Sequence, residues 1–244
     1  MKVDSANFEA QSREAVKLFW GNRQTALARQ IESGRKDEGG RGAVTSGKNM
    51  DGFRALTRSL AVANGLDPAD VSAHARVLTL PGYFRPTKFW DTLAILRDDL
   101  LAAVEFKSQV GPSFGKNFNN WCEEAIGSSH DFWTAYRMGA FGEDAPRPFL
   151  AWIMLLEDCD ASNSPVKESD PRFPVDPAFQ GTSYAERYDL FCKRLVEEGL
   201  YSSETLLISP REAVADGSYR HLSEMTSLRT YAKAFADHVA AAAN

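Results

Sequence analysis

Glu105-Phe106-Lys107 sits inside Leu100 to Val110, a run of strand-forming residues. Side chains alternate across a strand, so Glu105 and Lys107 share one face, with Gln109 following on it, while Val104 and Phe106 take the other. A carboxylate and an ammonium on an otherwise apolar strand are costly to bury without a task or a solvent opening. Asp91 lies upstream, in the β-prone stretch Phe89 to Leu96, and Arg97-Asp98-Asp99 between the two stretches reads as a tight turn, so the whole is a β-hairpin signature. A fold about residue 98 sets Asp91 opposite Glu105. Two carboxylates that converge without a counter-ion repel, and one is forced to protonate; a divalent cation relieves this. Oxygen ligands alone favour Mg²⁺, which needs one or two carboxylates besides water and phosphate. Such an ion acidifies a water and polarises a phosphate, and Lys107 can orient the attacking hydroxide and offset charge on the phosphorane. Asp91, Glu105 and Lys107 together would make a phosphodiester hydrolysis site. The pattern leaves a second reading open, in which Glu105 and Lys107 are a solvated edge pair and Asp91 caps a turn.

The elements that must position these residues can be read from periodicity. Residues 5–33 predict one or two amphipathic helices, with Phe8, Ala15, Phe19 and Leu27 roughly on one side. Residues 34–48, rich in Gly and charge, predict a loop, and 49–64 a helix with Met50, Phe53, Leu56 and Leu60 on one face. A strand is expected within 71–80, then the hairpin, then a long helix over 116–139 with Phe118, Trp121, Ala125, Phe132 and Tyr136 inward. The apolar run 148–156 reads as a buried strand, 182–198 as a helix capped by Thr182 or Ser183, 205–208 as a short strand and 221–243 as a final helix. That order suggests an α/β fold with a mixed sheet. No repeat or sharp linker divides the 244 residues, so a single domain is expected: a core at about 49–160, N-terminal helices and a Gly-rich loop over 1–48, and a helical part over 161–244.

Composition removes several classes. No stretch approaches a membrane span, and the N-terminus has no apolar core of a secretory signal, so a cytoplasmic protein is expected. Cys122, Cys159 and Cys192 form no CxxC pair and read as buried thiols. The net charge is −5, yet residues 1–60 hold 11 Lys and Arg against 7 Asp and Glu, while residues 119–244 hold 11 against 20. A local positive field can bind phosphate on an acidic chain.

Several segments resemble the XhoI group of type II restriction endonucleases: GKNMDGF (47–53), LTLPGYFRPTKFWD (78–91), LAAVEFKSQVGPSFGKNFNN (101–120), EEAIGSSHD (123–131), LLEDC (155–159), PRFPV (171–175) and SYAERY (183–188). The likeness spans most of residues 8–200 and is weak beyond about 205. It implies a PD-(D/E)xK core, a central mixed β-sheet flanked by helices, with further helices at both ends. It further implies a homodimer that cuts the palindrome CTCGAG after its first C, using Mg²⁺, in partnership with a DNA methyltransferase. The family motif falls loosely on Pro86, then on Asp91, Glu105 and Lys107, with Asp91, Glu105 and the backbone carbonyl of Phe106 around the metal. The Pro-Asp dipeptide is absent, since Trp90 precedes Asp91.

Around this set, Gln109, Glu124 and Asp51 are accessory candidates. Each has a plainer role: an exposed strand end for Gln109, complementing a helix dipole for Glu124 and its neighbour Glu123, and helix capping for Asp51 with Asn49. His130 beside Asp131 reads as a helix-surface histidine. Contact with double-stranded DNA is expected from Arg35, Lys36, Arg41 and Lys48 of the loop, from Arg85 and Lys88 before Asp91, and from Lys116, Asn117, Asn119 and Asn120 after the ExK strand. Each of these is also an ordinary solvated side chain. A two-fold dimer would match a palindrome, and the helices at 182–200 and 221–240 are candidate contacts. Two other functions share the core pattern: a structure-specific repair or recombination nuclease, and a DNA-binding protein without catalysis.

Overall fold

The computed structural model describes residues 5–32, 47–72, 79–167 and 172–243. Six helices occur among them, α1 (Ser5–Glu32), α2 (Asp51–Ala63), α3 (Phe114–Arg137), the single turn α4 (Asp160–Asn163), α5 (Tyr184–Glu197) and α6 (Leu228–Ala243). The strands are β1 (Val71–Ser72), β2 (Thr79–Pro81), β3 (Thr87–Phe89), β4 (Thr92–Leu96), β5 (Asp99–Gln109), β6 (Phe149–Glu157) and β7 (Ser203–Ser209). The main sheet runs β1-β4-β5-β6-β7, and β2 and β3 form a separate ribbon. β1, β4 and β5 pair antiparallel, while β5, β6 and β7 pair parallel, which is the mixed α/β sheet expected.

Period-two alternation sends each strand into two cores. Val104, Phe106, Ile153, Leu155 and Leu207 pack with α1, α2 and α6 through Phe19, Phe53, Leu60, Tyr231 and Phe235. Ala103, Trp152, Met154, Leu206 and Ile208 pack with α3 and α5 through Phe114, Phe132, Tyr188, Phe191 and Leu195. All nine residues of β6 are buried, which explains its continuous apolar run: a strand covered by helices on both faces cannot alternate with polar residues.

Local signals place the ends. Ser183 caps α5, its hydroxyl accepting from the Glu186 N–H while Glu186 reaches back to the Ser183 N–H. The last helix starts at Leu228 rather than at 221. His221 ahead of it binds Leu206 O and the Leu228 N–H, holding that segment against β7 instead. In α1, Phe8, Ala15 and Phe19 are buried as expected, but Leu27 is 47% exposed. A 28-residue helix is about 40 Å long, and its last two turns, from Leu27 on, are largely exposed. α5 and α6 pack their apolar faces on opposite sides of the sheet.

Candidate active site

The hairpin carries the chemistry. Its turn is the pair Arg97-Asp98, both with positive φ (53° and 71°), the left-handed geometry that follows the strand twist in two-residue hairpins. Asp99, assigned to the turn from sequence, opens β5. Such a turn alone would pair Leu96 with Asp99 and Ile95 with Leu100, and it does; the register then shifts between Ala94 and Ile95, and Ala94 faces Ala102, Leu93 faces Ala103 and Thr92 faces Val104. The shifted register is the one that a fold about residue 98 predicts, reached through a two-residue turn and a bulge.

β4 stops at Thr92, so among the described residues β5 beyond Val104 has a strand neighbour only in β6, from Glu105 opposite Trp152 to Gln109 opposite Leu156. Asp91 fills part of the vacated edge. It lies in a bend ahead of β4, and its Oδ2 accepts the Phe106 N–H at 2.9 Å. Its Oδ1 is held by the Arg54 guanidinium of α2, which also reaches Asp51 at 3.0 Å. Asp51 therefore stands one residue from Asp91; it does not cap α2, whose N-cap is Met50 without a side-chain bond.

Glu105 and Lys107 emerge together on the α3 side. Lys107 Nζ donates to Glu105 Oε1 at 2.6 Å and to Glu124 Oε1 at 2.7 Å, and it lies 5.1 Å from the Trp121 ring centre. Glu124 lies well inside α3, not at its N-terminus, so the ammonium explains its position better than the helix dipole does. Glu105 Oε2 lies 2.7 Å from Lys88 Nζ, a close charge contact rather than a directed hydrogen bond. Burial would raise the Glu105 carboxyl, but Lys107 and Lys88 outweigh it and hold the group below its usual range. Burial likewise opposes the Lys107 ammonium, and Glu105 with Glu124 raises it above the usual lysine range.

The other expected residues scatter more widely. Gln109 is almost wholly buried and donates to Val110 O, so the exposed strand end is corrected. With Arg23, Ser108, Asn117, Asn120, Trp121 and Glu124 it borders a cavity of about 280 Å³ beside Lys107. Lys88, expected on DNA, is instead 10% exposed against Glu105. Arg85 pairs with Asp131 at 2.7 Å. Asp131 also accepts the Tyr83 and Phe84 N–H groups, so this acid anchors the loop between β2 and β3, while His130 stacks on Phe84 at the surface. Lys116, Asn119 and Asn120 are exposed on the first turns of α3, and Asn117 is half-buried. Lys48 belongs to the turn Gly47–Met50, and Arg35, Lys36 and Arg41 lie outside the described residues. Arg54 was missed because its only signal is an Asp-x-x-Arg spacing, common on any helix.

The donors suit a hard divalent cation: Asp91, Glu105 and Glu124 offer oxygen alone, and no thiol or imidazole stands among them. Among the described residues no three His, Cys, Asp or Glu form a ready cage, which fits an ion that needs only one or two carboxylates and completes its shell with water and phosphate. Arg54 faces Asp91, Lys88 and Lys107 face Glu105, and Lys107 also faces Glu124, so each acid already has a basic partner whose place a cation would take.

A family model described as restriction endonuclease XhoI matches residues 29–221. The chain is 54% identical over 173 residues to the type II restriction enzyme AbrI of Azospirillum brasilense, covering 71% of this chain and 77% of that one. It is 46% identical over 211 residues to the type II restriction enzyme XhoI of Xanthomonas vasicola, with 86% and 84% covered. To the type II restriction enzyme BstVI of Geobacillus stearothermophilus it is 44% identical over 210 residues, with 84% and 93% covered. No solved structure matches.

Proposed function

The chain belongs to the XhoI restriction endonuclease family, and from that premise we propose that Asp91, Glu105 and Lys107 are the groups with which it hydrolyses DNA. As a type II restriction enzyme it is a site-specific deoxyribonuclease acting on double-stranded DNA. That assignment selects restriction over a repair nuclease and over a non-catalytic binding module. The observation that carries the site is the bond from the Phe106 N–H to Asp91 Oδ2 at 2.9 Å, which docks the first acid onto the strand bearing Glu105 and Lys107.

Enzymes of this class use a divalent metal ion; Mg²⁺ would be held here by Asp91, Glu105 and the Phe106 carbonyl, with Asp51, Gln109 and Glu124 around them. When bound, it supplies Lewis-acid polarisation of the scissile phosphate and acidification of water. Lys107, kept charged by Glu105 and Glu124, faces the negative charge that gathers as water oxygen bonds to phosphorus and the P–O3′ bond breaks. The leaving 3′ oxygen takes up a proton. The exposed basic and amide groups of α3 and the loop basic residues track the duplex.

The relative named XhoI and the shared segments support CTCGAG as the site, cut after the first C to leave 5′ overhangs. The whole chain acts as one endonuclease domain in a homodimer. Its substrate sets its work in the cytoplasm, where a companion DNA methyltransferase must protect the host's own sites. Among the described residues no helix is long and apolar enough to cross a membrane.

The test is a plasmid carrying CTCGAG, incubated with Mg²⁺. Wild type should give discrete fragments, and Lys107→Ala should lose about a hundredfold to a thousandfold in rate, as for the loss of one charge-stabilising group. The variant should still bind the same duplex in a gel-shift assay. Normal cutting by Lys107→Ala would show the site to be misassigned.

A further inference from the structure

Lys88 has no part in the hydrolysis set above, yet it is buried in it. It sits on β3, its side chain is 10% exposed, and its Nζ lies 2.7 Å from Glu105 Oε2 and 4.7 Å from the Trp90 ring centre. A lysine is rarely buried without an acid to face. The other Glu105 oxygen is taken by Lys107 at 2.6 Å. Both oxygens that would face a divalent ion are therefore covered by ammonium groups, and an incoming cation must displace one of them. The two lysines differ in what they keep. Lys107 retains Glu124 at 2.7 Å. Among the described residues Lys88 has Glu105 as its acid, and otherwise the Phe89 carbonyl at 3.4 Å and the ring. Its neighbour Phe89 is 49% exposed, and Tyr83 and Phe84 of the adjoining loop are also open to solvent, so the ribbon leaves a displaced ammonium a way out.

We propose that Lys88 is a positioning residue that stands in for the divalent ion on Glu105 and swings away when the ion binds. In the ion-free protein it holds Glu105 in place from 2.7 Å. On ion binding it is released toward the solvent side of the ribbon, where Phe89, Tyr83 and Phe84 are exposed. The inference rests on the reading of Glu105 as a cation ligand.

The experiment follows thermal unfolding of the full chain against Mg²⁺ concentration, without DNA, since a ligand of the folded state raises the melting temperature by mass action. Lys88→Met removes the competing charge at similar length, and a charge-assisted contact is worth about tenfold in an equilibrium. Its half-saturating Mg²⁺ concentration should fall about tenfold below wild type, while Lys88→Arg, which keeps the charge, should stay near wild type. A Lys88→Met midpoint at or above the wild-type one overturns the proposal. Glu105→Gln separates the underlying reading: it should abolish the Mg²⁺-dependent rise, and if the rise persists, the ligand assignment itself falls. Should Lys88→Met not fold, reductive methylation of the wild-type protein, read by mass spectrometry, decides the matter. Lys88 should be slow to react without Mg²⁺ and several-fold faster with saturating Mg²⁺; an unchanged rate overturns the proposal.

Discussion

Glu105, Trp152 and Glu204 stand in one row across β5, β6 and β7, on the face covered by α3 and α5. The two acids have opposite fates. Both are desolvated, but Glu105 has two lysines and is held below the usual carboxylate range, whereas Glu204 is fully buried with neither oxygen partnered among the described residues, so its carboxyl is pushed well above that range. Neighbours, rather than depth, set the charge. Glu204 therefore keeps its proton in the folded protein, while the unfolded chain loses it near the usual value of 4.5. A raised carboxyl pKa contributes stability that is complete below that value and is lost as pH rises toward the folded one, at about 1.4 kcal/mol per pH unit. Glu204→Gln, which has no proton to lose, should gain stability relative to wild type from pH 5 to pH 8. A stability difference that stays flat with pH in urea titrations would mean that Glu204 is ionised in the native state.

The hairpin reaches its register through two devices that offset each other. Arg97-Asp98 makes a turn one residue tighter than the sequence suggests, and the irregularity at Ala94/Ile95 restores the phase. A one-residue slip in a strand moves each side chain to the other face, so that irregularity decides where Glu105 stands against the Asp91 segment. Helix α2 matters for the same site, because it carries Arg54 and Asp51. It lies so close to α1 that a Cβ on Gly52 would come within 2.6 Å of Ala15 Cα. The contact is with backbone and cannot be relieved by a side-chain rotation, so Gly52→Ala should cost about 1–3 kcal/mol, read as a lower urea midpoint. An unchanged midpoint would show that α1 and α2 can part without loss.

Across the whole molecule, helices on both faces of the sheet leave the strand segment 105–109 as the place where charge is gathered under α3. The net charge of −5 does not describe that place, where Arg54, Lys88 and Lys107 meet the acids. The palindromic substrate proposed above would call for two such sites related by a two-fold axis, so the protein should sediment at twice the 27.0 kDa chain mass. A species that sediments as one chain under conditions where it cuts both strands together would defeat the dimer.

Patterns of period two and 3.6, with local capping signals, were enough to read the strand bearing Glu105 and Lys107, the buried β6 and a helix capped by Thr182 or Ser183, because each depends on residues a few positions apart; the ribbon strand β3 was not among them. They also put Glu105 and Lys107 on one face, since alternation along an extended backbone leaves no choice. Arg54, Lys88 and Glu124 were beyond such reading as partners of Asp91, Glu105 and Lys107. They arrive from α2, β3 and α3, and packing over separations of up to 37 residues, not local spacing, brings them in. Charge pairing depends on distance in space, and nothing in a chain's local pattern carries that distance until helices have closed on the sheet.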